Sequence, residues 1–377
     1  MKTPWEFLKE SKTKIKTAWR IAFVSALVLG LWIHLPVMLS DIPNHDGLSS
    51  MYFDQNMITS GRWFLTVACG FSSYFTIPWV IGLIGLVWLA LTAAVLTEVL
   101  ELTDPVTITV VSGLLVSFPA LASTFAYVFT MDGYMMALFL AVLAVLFTAK
   151  YPRGYLAGAV CLAFSMGIYQ AYLPFTILLC VYKILLYFIE EKSWKEKAKY
   201  VCRYLGMGIA GGVLYYVILQ ILLKLQGKVL DTYQGINSME QMGSGMGILA
   251  TIKEMYVDFL AFTVHGNVLV NNIFSLAACI ILVATVVFLV IRSMIWRKWW
   301  KNPAFFVIIV LLGISMPLLT NVILLISPNL TYHLLMRYQW VLYLILMTAF
   351  ADRYTAEESR TDVVLQWAVL CAAVVLV

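Results

Sequence analysis

The chain has 377 residues, 62% of them hydrophobic and 12% charged, with a net charge of +5. Soluble domains are nearer half apolar and a quarter charged, so this composition excludes a soluble enzyme and implies a polytopic integral membrane protein. The placement of the basic residues carries more information than their sum, because they cluster beside apolar runs.

A span needs about 20 apolar residues. The expected architecture is all-α, one transmembrane helical bundle over residues 1–377 with about eleven spans, and with loops and interfacial helices at one face. Lys2, Lys9, Lys12, Lys14, Lys16 and Arg20 precede the first span, Trp19–Leu39. That run is long enough to cross, and no small-residue cleavage site follows it, so it is not read as a signal peptide. Residues 40–75 form a polar loop with Asp41, His45, Asp46, Asp54 and Arg62. Within it, Met51–Phe64 is expected to lie along the membrane surface as an amphipathic helix.

Spans two to four are Thr76–Leu96, Val106–Leu121 and Met135–Thr148. Gly154–Glu190 is too long for one span and fits two, broken near Gly167–Tyr172. The charged segment Glu190–Arg203 then leads into span seven, Tyr204–Leu223. The long polar region 224–272 includes Ala250–His265, expected to be a surface or re-entrant helix. Spans eight to ten are Ile273–Ile291, Ala304–Ile326 and Leu334–Phe350, and span eleven starts at Val363. The six cysteines are scattered, mostly in apolar runs, and read as small buried hydrophobes.

Basic residues stay cytoplasmic near span ends. With the N-terminus inside, only Arg62, Lys224, Lys228, Lys253 and Arg337 of the 25 lysines and arginines fall outside. The turn Glu98–Asp104 is the exception on the inner face, since it carries acids and no base. The outer face receives Asp41, Asp46, Arg62, Asp132, Tyr169, Gln170, loop 224–272, His333 and Arg337. Chemistry is therefore expected outside, where ATP and nucleotide sugars are absent, and no GxxxxGK[ST] phosphate loop is present. A transferase there takes a donor that has already crossed, such as a sugar on a polyprenyl phosphate.

One carboxylate, Asp46 or Asp41, can take the proton of an attacking acceptor hydroxyl. Either can instead cap a turn, as Asp46-Gly47 would. Arg62 can fork onto phosphate oxygens, or simply sit beside Trp63 at the interface. Asp132, so close to hydrocarbon, is a functional candidate and also suits an N-cap. Tyr134, Tyr169 and Gln170 can hydrogen-bond sugar hydroxyls, or tie helices together. His333 and Arg337 stand one turn apart and could contact the phosphate, or Arg337 could snorkel.

At Gly61-Arg62-Trp63, Tyr127–Tyr134 with Asp132, Ser165–Gln170 and Arg337, the chain resembles the bacterial GtrII-type glucosyltransferases. The resemblance runs in order through nearly the whole chain. It implies a GT-C-like fold with the catalytic acid, Asp46 or Asp41, in the first outer loop. It also implies glucose on undecaprenyl phosphate as donor and an O-antigen or related surface polysaccharide as acceptor. The bacterial inner membrane is the expected location. No resident cofactor, metal site or nucleic-acid partner is expected, although phosphate chemistry leaves room for a divalent cation.

A lipid-linked sugar flippase would carry charges deep in mid-span and inverted repeats, and neither is visible. A polysaccharide polymerase or ligase would favour a long outer loop rich in Arg and His. Loop 224–272 holds three lysines and one histidine but no arginine. A membrane O-acyltransferase needs an intramembrane histidine, for which His34 is the sole candidate and lacks a partner in sequence.

Overall fold

The computed structural model describes residues 3–6, 10, 14–40, 57–69, 77–190, 192–231, 247–296, 298, 303–327, 330–355 and 359–377. Every element among them is helical. The principal helices are α1 (Thr17–Leu39), α2 (Pro78–Leu100), α3 (Pro105–Ser117), α4 (Pro119–Phe125) and α5 (Met131–Lys150). They continue as α6 (Gly154–Ile168), α7 (Leu173–Ile189), α8 (Trp194–Gln226) and α9 (Ile248–Leu260). The last are α10 (Ile273–Trp296), α11 (Pro303–Thr320), α12 (Val341–Tyr354) and α13 (Arg360–Leu376).

Local sequence sets the boundaries. Proline opens α2, α3 and α4, where its missing N–H costs nothing. Asp104 caps α3 by accepting from the Thr107 N–H at 2.7 Å. Ser193 and Glu196 form a reciprocal capping box on α8, and Gly227 ends it at φ 61°.

Seven described helices are long and apolar enough to cross a membrane, or eight if α3 and α4, which meet at 50°, count as one bent span. The expected spans five, nine and eleven fall on α6, α11 and α13, which do not meet that test. The shortfall has a physical cause at α6. Its 15 residues reach about 22 Å, roughly 8 Å less than a hydrocarbon core of about 30 Å. The break at Tyr169 between α6 and α7 is thus recessed into the bundle.

The helices alternate in direction, so their ends form two faces. At the basic end, Glu98 accepts from Lys16 at 2.7 Å, Lys150 at 2.8 Å and the Trp19 indole at 2.9 Å. Glu101 accepts from Lys183 at 2.6 Å and Arg353 at 2.8 Å. These two acids explain the acidic turn that broke the charge pattern, because the cations of four other segments converge on it. Burial pushes the Glu101 carboxyl up, but the hydrogen bonds and charges of Lys183 and Arg353 outweigh this and hold it below the usual range.

The opposite end carries the turns after α1, the α4–α5 junction, the α6–α7 break, the C-terminal half of α9 and the segment after α11. We call it the cavity end. Residues 57–64 are turns there, not the expected surface helix, and one helical turn, Leu65–Ala68, follows them. Met57, Trp63 and Leu65 are buried and point into the bundle, while Val67 is exposed.

The bend between α3 and α4 is built from side chains. Pro119 has no N–H to give to the Leu115 carbonyl, and the Tyr338 hydroxyl donates to that oxygen instead. The bend also frees the Val116 carbonyl, which lies 2.8 Å from His34 Nε2. A carbonyl only accepts, so His34 Nε2 carries the proton. His34 further stacks on Phe125 at 3.9 Å. This histidine, without a partner in sequence, closes a broken helix.

Candidate functional site

The turn Gly61-Arg62-Trp63 is docked by its own backbone. Gly61 adopts φ 76°, a left-handed conformation that favours glycine. The Arg62 N–H donates to the Met57 carbonyl at 2.7 Å, and the Phe64 N–H donates to the Gly167 carbonyl at 2.7 Å. The Trp63 indole lies against Gly167, where an added Cβ would come within 2.6 Å of the ring. The α6 terminus thus receives the turn because residue 167 has no side chain.

Arg62 then faces the polar residues of the α6–α7 break. Its guanidinium lies 5.2 Å from the Tyr169 ring centroid and donates to the Tyr134 hydroxyl at 3.3 Å. Tyr134 and Tyr169 stack at 4.2 Å and 10°. Gln170 Nε2 donates to the Tyr215 hydroxyl at 2.9 Å. The Tyr215 hydroxyl donates to the Gly61 carbonyl at 3.0 Å. Four segments distant in sequence therefore meet: the Gly61–Trp63 turn, the start of α5, the α6–α7 break and the middle of α8.

A cavity of about 170 Å³ opens on this group. Arg62, Tyr169, Gln170 and Tyr215 form its polar wall, and Ile323, Ile326, Leu330 and Met336 its apolar wall. Two larger hollows, of about 610 and 450 Å³, lie at the basic end and contain none of the expected site residues.

Behind the apolar wall is a second polar group. Arg337 forks onto Asp258 of α9, with both bonds at 2.7 Å. Its guanidinium stacks 3.9 Å from the Tyr332 ring and 4.7 Å from Phe262. Asn321, fully buried at the end of α11, donates to Asp258 at 3.1 Å and to the Met255 carbonyl at 2.9 Å. Gln339 donates to the Tyr332 hydroxyl at 2.6 Å. Burial raises the Tyr332 phenol well above its ordinary value, more than the facing Arg337 lowers it.

Of the sequence-derived candidates, Arg62, Tyr169 and Gln170 line the cavity, and Tyr134 lies directly behind them. Asp132 is buried in the first turn of α5, where it accepts from the Gly133 N–H at 2.9 Å. His333 is exposed beside the Arg337 segment. Asp41 and Asp46 lie outside the described residues, as do His45 and Asp54. Among the described residues, no three His, Cys, Asp or Glu side chains gather as a metal site. Sequence reasoning missed Asp258, Asn321 and Tyr215. Asp258 had one signal, as an acid on the otherwise apolar C-terminal half of α9.

Fold and cavity together define a polytopic helical membrane protein with a half-polar, half-apolar cavity sunk into one end. The family model described as Glucosyl transferase GtrII matches residues 35–351. The chain belongs to that family, and so is a glycosyltransferase by descent. No curated protein and no solved structure matches it.

Proposed function

We propose that the protein transfers a glucosyl unit from a polyprenyl-phosphate donor to a surface polysaccharide, on the extracytoplasmic side of a bacterial inner membrane. In this reading the N-terminus is cytoplasmic and the cavity end faces outward. The acceptor hydroxyl oxygen attacks the anomeric carbon, and its proton passes to Asp46, with Asp41 the second candidate. The bond to the phosphate breaks, and polyprenyl phosphate leaves with the electron pair. Arg62 receives the growing phosphate charge through its fork. Tyr134, Tyr169, Gln170 and Asp132 serve the sugar or the acceptor.

The observation that carries the reading is the position of Arg62. It sits on a cavity with one polar and one apolar wall, and its chain neighbours lead directly back to the acidic loop. A lipid-linked sugar has the matching division into polar head and apolar tail. Arg337 also lies at this end with His333, but its fork is engaged by Asp258. The phosphate is therefore assigned first to Arg62.

The test is transfer of labelled glucose from a polyprenyl phosphate by purified protein in lipid nanodiscs. Asp46→Asn is expected to lower turnover about 10²–10⁴-fold, and Asp41→Asn less. Arg62→Lys is expected not to restore the activity lost in Arg62→Ala, because a point charge cannot replace the fork. If neither aspartate variant changes turnover, the loop is structural and the transferase mechanism fails.

A further inference from the structure

The Tyr215 hydroxyl has one hydrogen and two neighbours. Gly61 offers a carbonyl, which can only accept, so the phenol hydrogen goes there, at 3.0 Å. The group facing the phenol lone pairs must then be a donor. Gln170 is that group, at 2.9 Å, so its amide nitrogen, and not its oxygen, is turned to Tyr215. The Ser60 carbonyl, 3.5 Å from the same nitrogen, lies at the limit of hydrogen-bond distance and adds only weakly to that choice. An amide that would otherwise present either end is held in one orientation. Tyr215 itself is 3% exposed, on the middle of α8.

We propose that Tyr215 is a positioning residue which fixes the Gln170 amide, so that Gln170 offers the cavity a carbonyl oxygen, an acceptor for a ligand hydroxyl. The selected chemistry is a sugar hydroxyl that donates a hydrogen at that point. A ligand with only an acceptor there, such as fluorine in place of hydroxyl, meets two acceptors face to face. The Tyr215→Phe change releases the amide, which can then rotate and offer its N–H₂. Discrimination between hydroxyl and fluorine falls, while the backbone bonds to Met57 and Gly167 still dock the Arg62 turn. Tyr215 thereby joins α8 to the site without touching the ligand's reacting atoms. The proposal rests on the transferase reading for the identity of the ligand, but not for the orientation of the amide.

Two measurements separate those parts. The first uses polyprenyl-phosphate glucose and its 3-, 4- and 6-deoxyfluoro analogues as donors in nanodiscs. The wild-type protein is expected to reject one analogue by about tenfold in kcat/KM beyond the others, the net value of one hydrogen bond to a buried group. In Tyr215→Phe that excess is expected to shrink to about threefold or less. In Gln170→Met the excess is absent, and adding Tyr215→Phe changes it no further. If Tyr215→Phe slows all donors equally and keeps the excess, Tyr215 is only a structural tie and the proposal is overturned. Equal use of all analogues by the wild type overturns the sugar-hydroxyl assignment.

The second measurement needs no transfer. Protein labelled with ¹⁵N-glutamine gives side-chain amide resonances, and Gln170→Met identifies the one from Gln170. A shift of that resonance in Tyr215→Phe is the expected result. An unchanged resonance overturns the positioning role. A shifted resonance in a protein that transfers no glucose sinks the transferase reading and leaves the amide orientation standing.

Discussion

The Arg337–Asp258 pair offers the sharpest test of what builds the cavity wall. Their side chains are 11% and 23% exposed, and two bonds of 2.7 Å join them. Asp258→Asn keeps the shape but leaves the guanidinium charge without its carboxylate. The Tyr332 and Phe262 rings remain over that charge, in the wild type and the variant alike, so they do not replace what is lost. Removing one partner of a buried pair costs about 3–5 kcal/mol. The residual exposure places this one near 3 kcal/mol, or about 6 °C at roughly 2 °C per kcal/mol for a large chain. Thermal melts of purified protein in detergent, followed by circular dichroism, measure it. The paired change Asp258→Leu with Arg337→Met removes both charges and is expected to recover to within about 1 kcal/mol of wild type. A melting temperature for Asp258→Asn within 1 °C of wild type would refute the reasoning. Transfer by the paired variant then decides what Arg337 does. Wild-type turnover makes it an anchor of the wall, and a stable but inactive protein makes it a ligand of the phosphate.

Four further expectations follow from other parts of the chain. Tyr338→Phe leaves the Leu115 carbonyl without its donor at the α3–α4 bend, at a cost of about 1–3 kcal/mol, read in the same melts. Gly167→Ala drives a methyl into the Trp63 ring and should cost about 1–3 kcal/mol. Its added loss of transfer should be partly reversed by Trp63→Phe, and no change in either readout would remove Gly167 from the docking argument. Glu101 is held below its ordinary pKa in the folded state. Its contribution is complete above the unfolded value of about 4.3 and is lost as pH falls through the lower folded value. Melts from pH 6 downward should therefore show wild type losing more stability than Glu101→Gln, by a small margin because the carboxylate is half exposed. The orientation is tested by labelling from outside in a protein lacking its six native cysteines. Thr232→Cys should react and Lys195→Cys should not.

The sequence made the helical bundle legible because membrane spans are read from length and hydropathy, which are local. The break at Tyr169 was visible for the same reason, as two polar side chains interrupt an apolar run. The number of full crossings was less accessible. Gly154–Ile168 is as apolar as its neighbours, and only its early end at the Tyr169 break makes it short. Alternation of direction grouped Arg62, Asp132, Tyr169 and Arg337 at one end. It could not say which of them touch. Arg337 meets Asp258 from 79 positions away, and nothing local marks that distance. Tyr215 was hidden more thoroughly, since a tyrosine inside a long apolar helix reads as packing. Its role emerges only when the donors and acceptors around one hydroxyl are assigned.

The acidic turn at Glu98 and Glu101 has a consequence in time. Before the helices meet, Lys16, Lys150, Lys183 and Arg353 are separate charges on a nascent chain. In that state they can bias the sorting of each segment across a bilayer, a process in which acids count for little. Once the bundle closes, the same cations converge on two carboxylates, with Lys183 buried and Lys16 and Lys150 still exposed. In the finished protein these four charges stand beside two carboxylates and no longer at separate segment ends. One set of side chains acts first as an address and afterwards as a clasp.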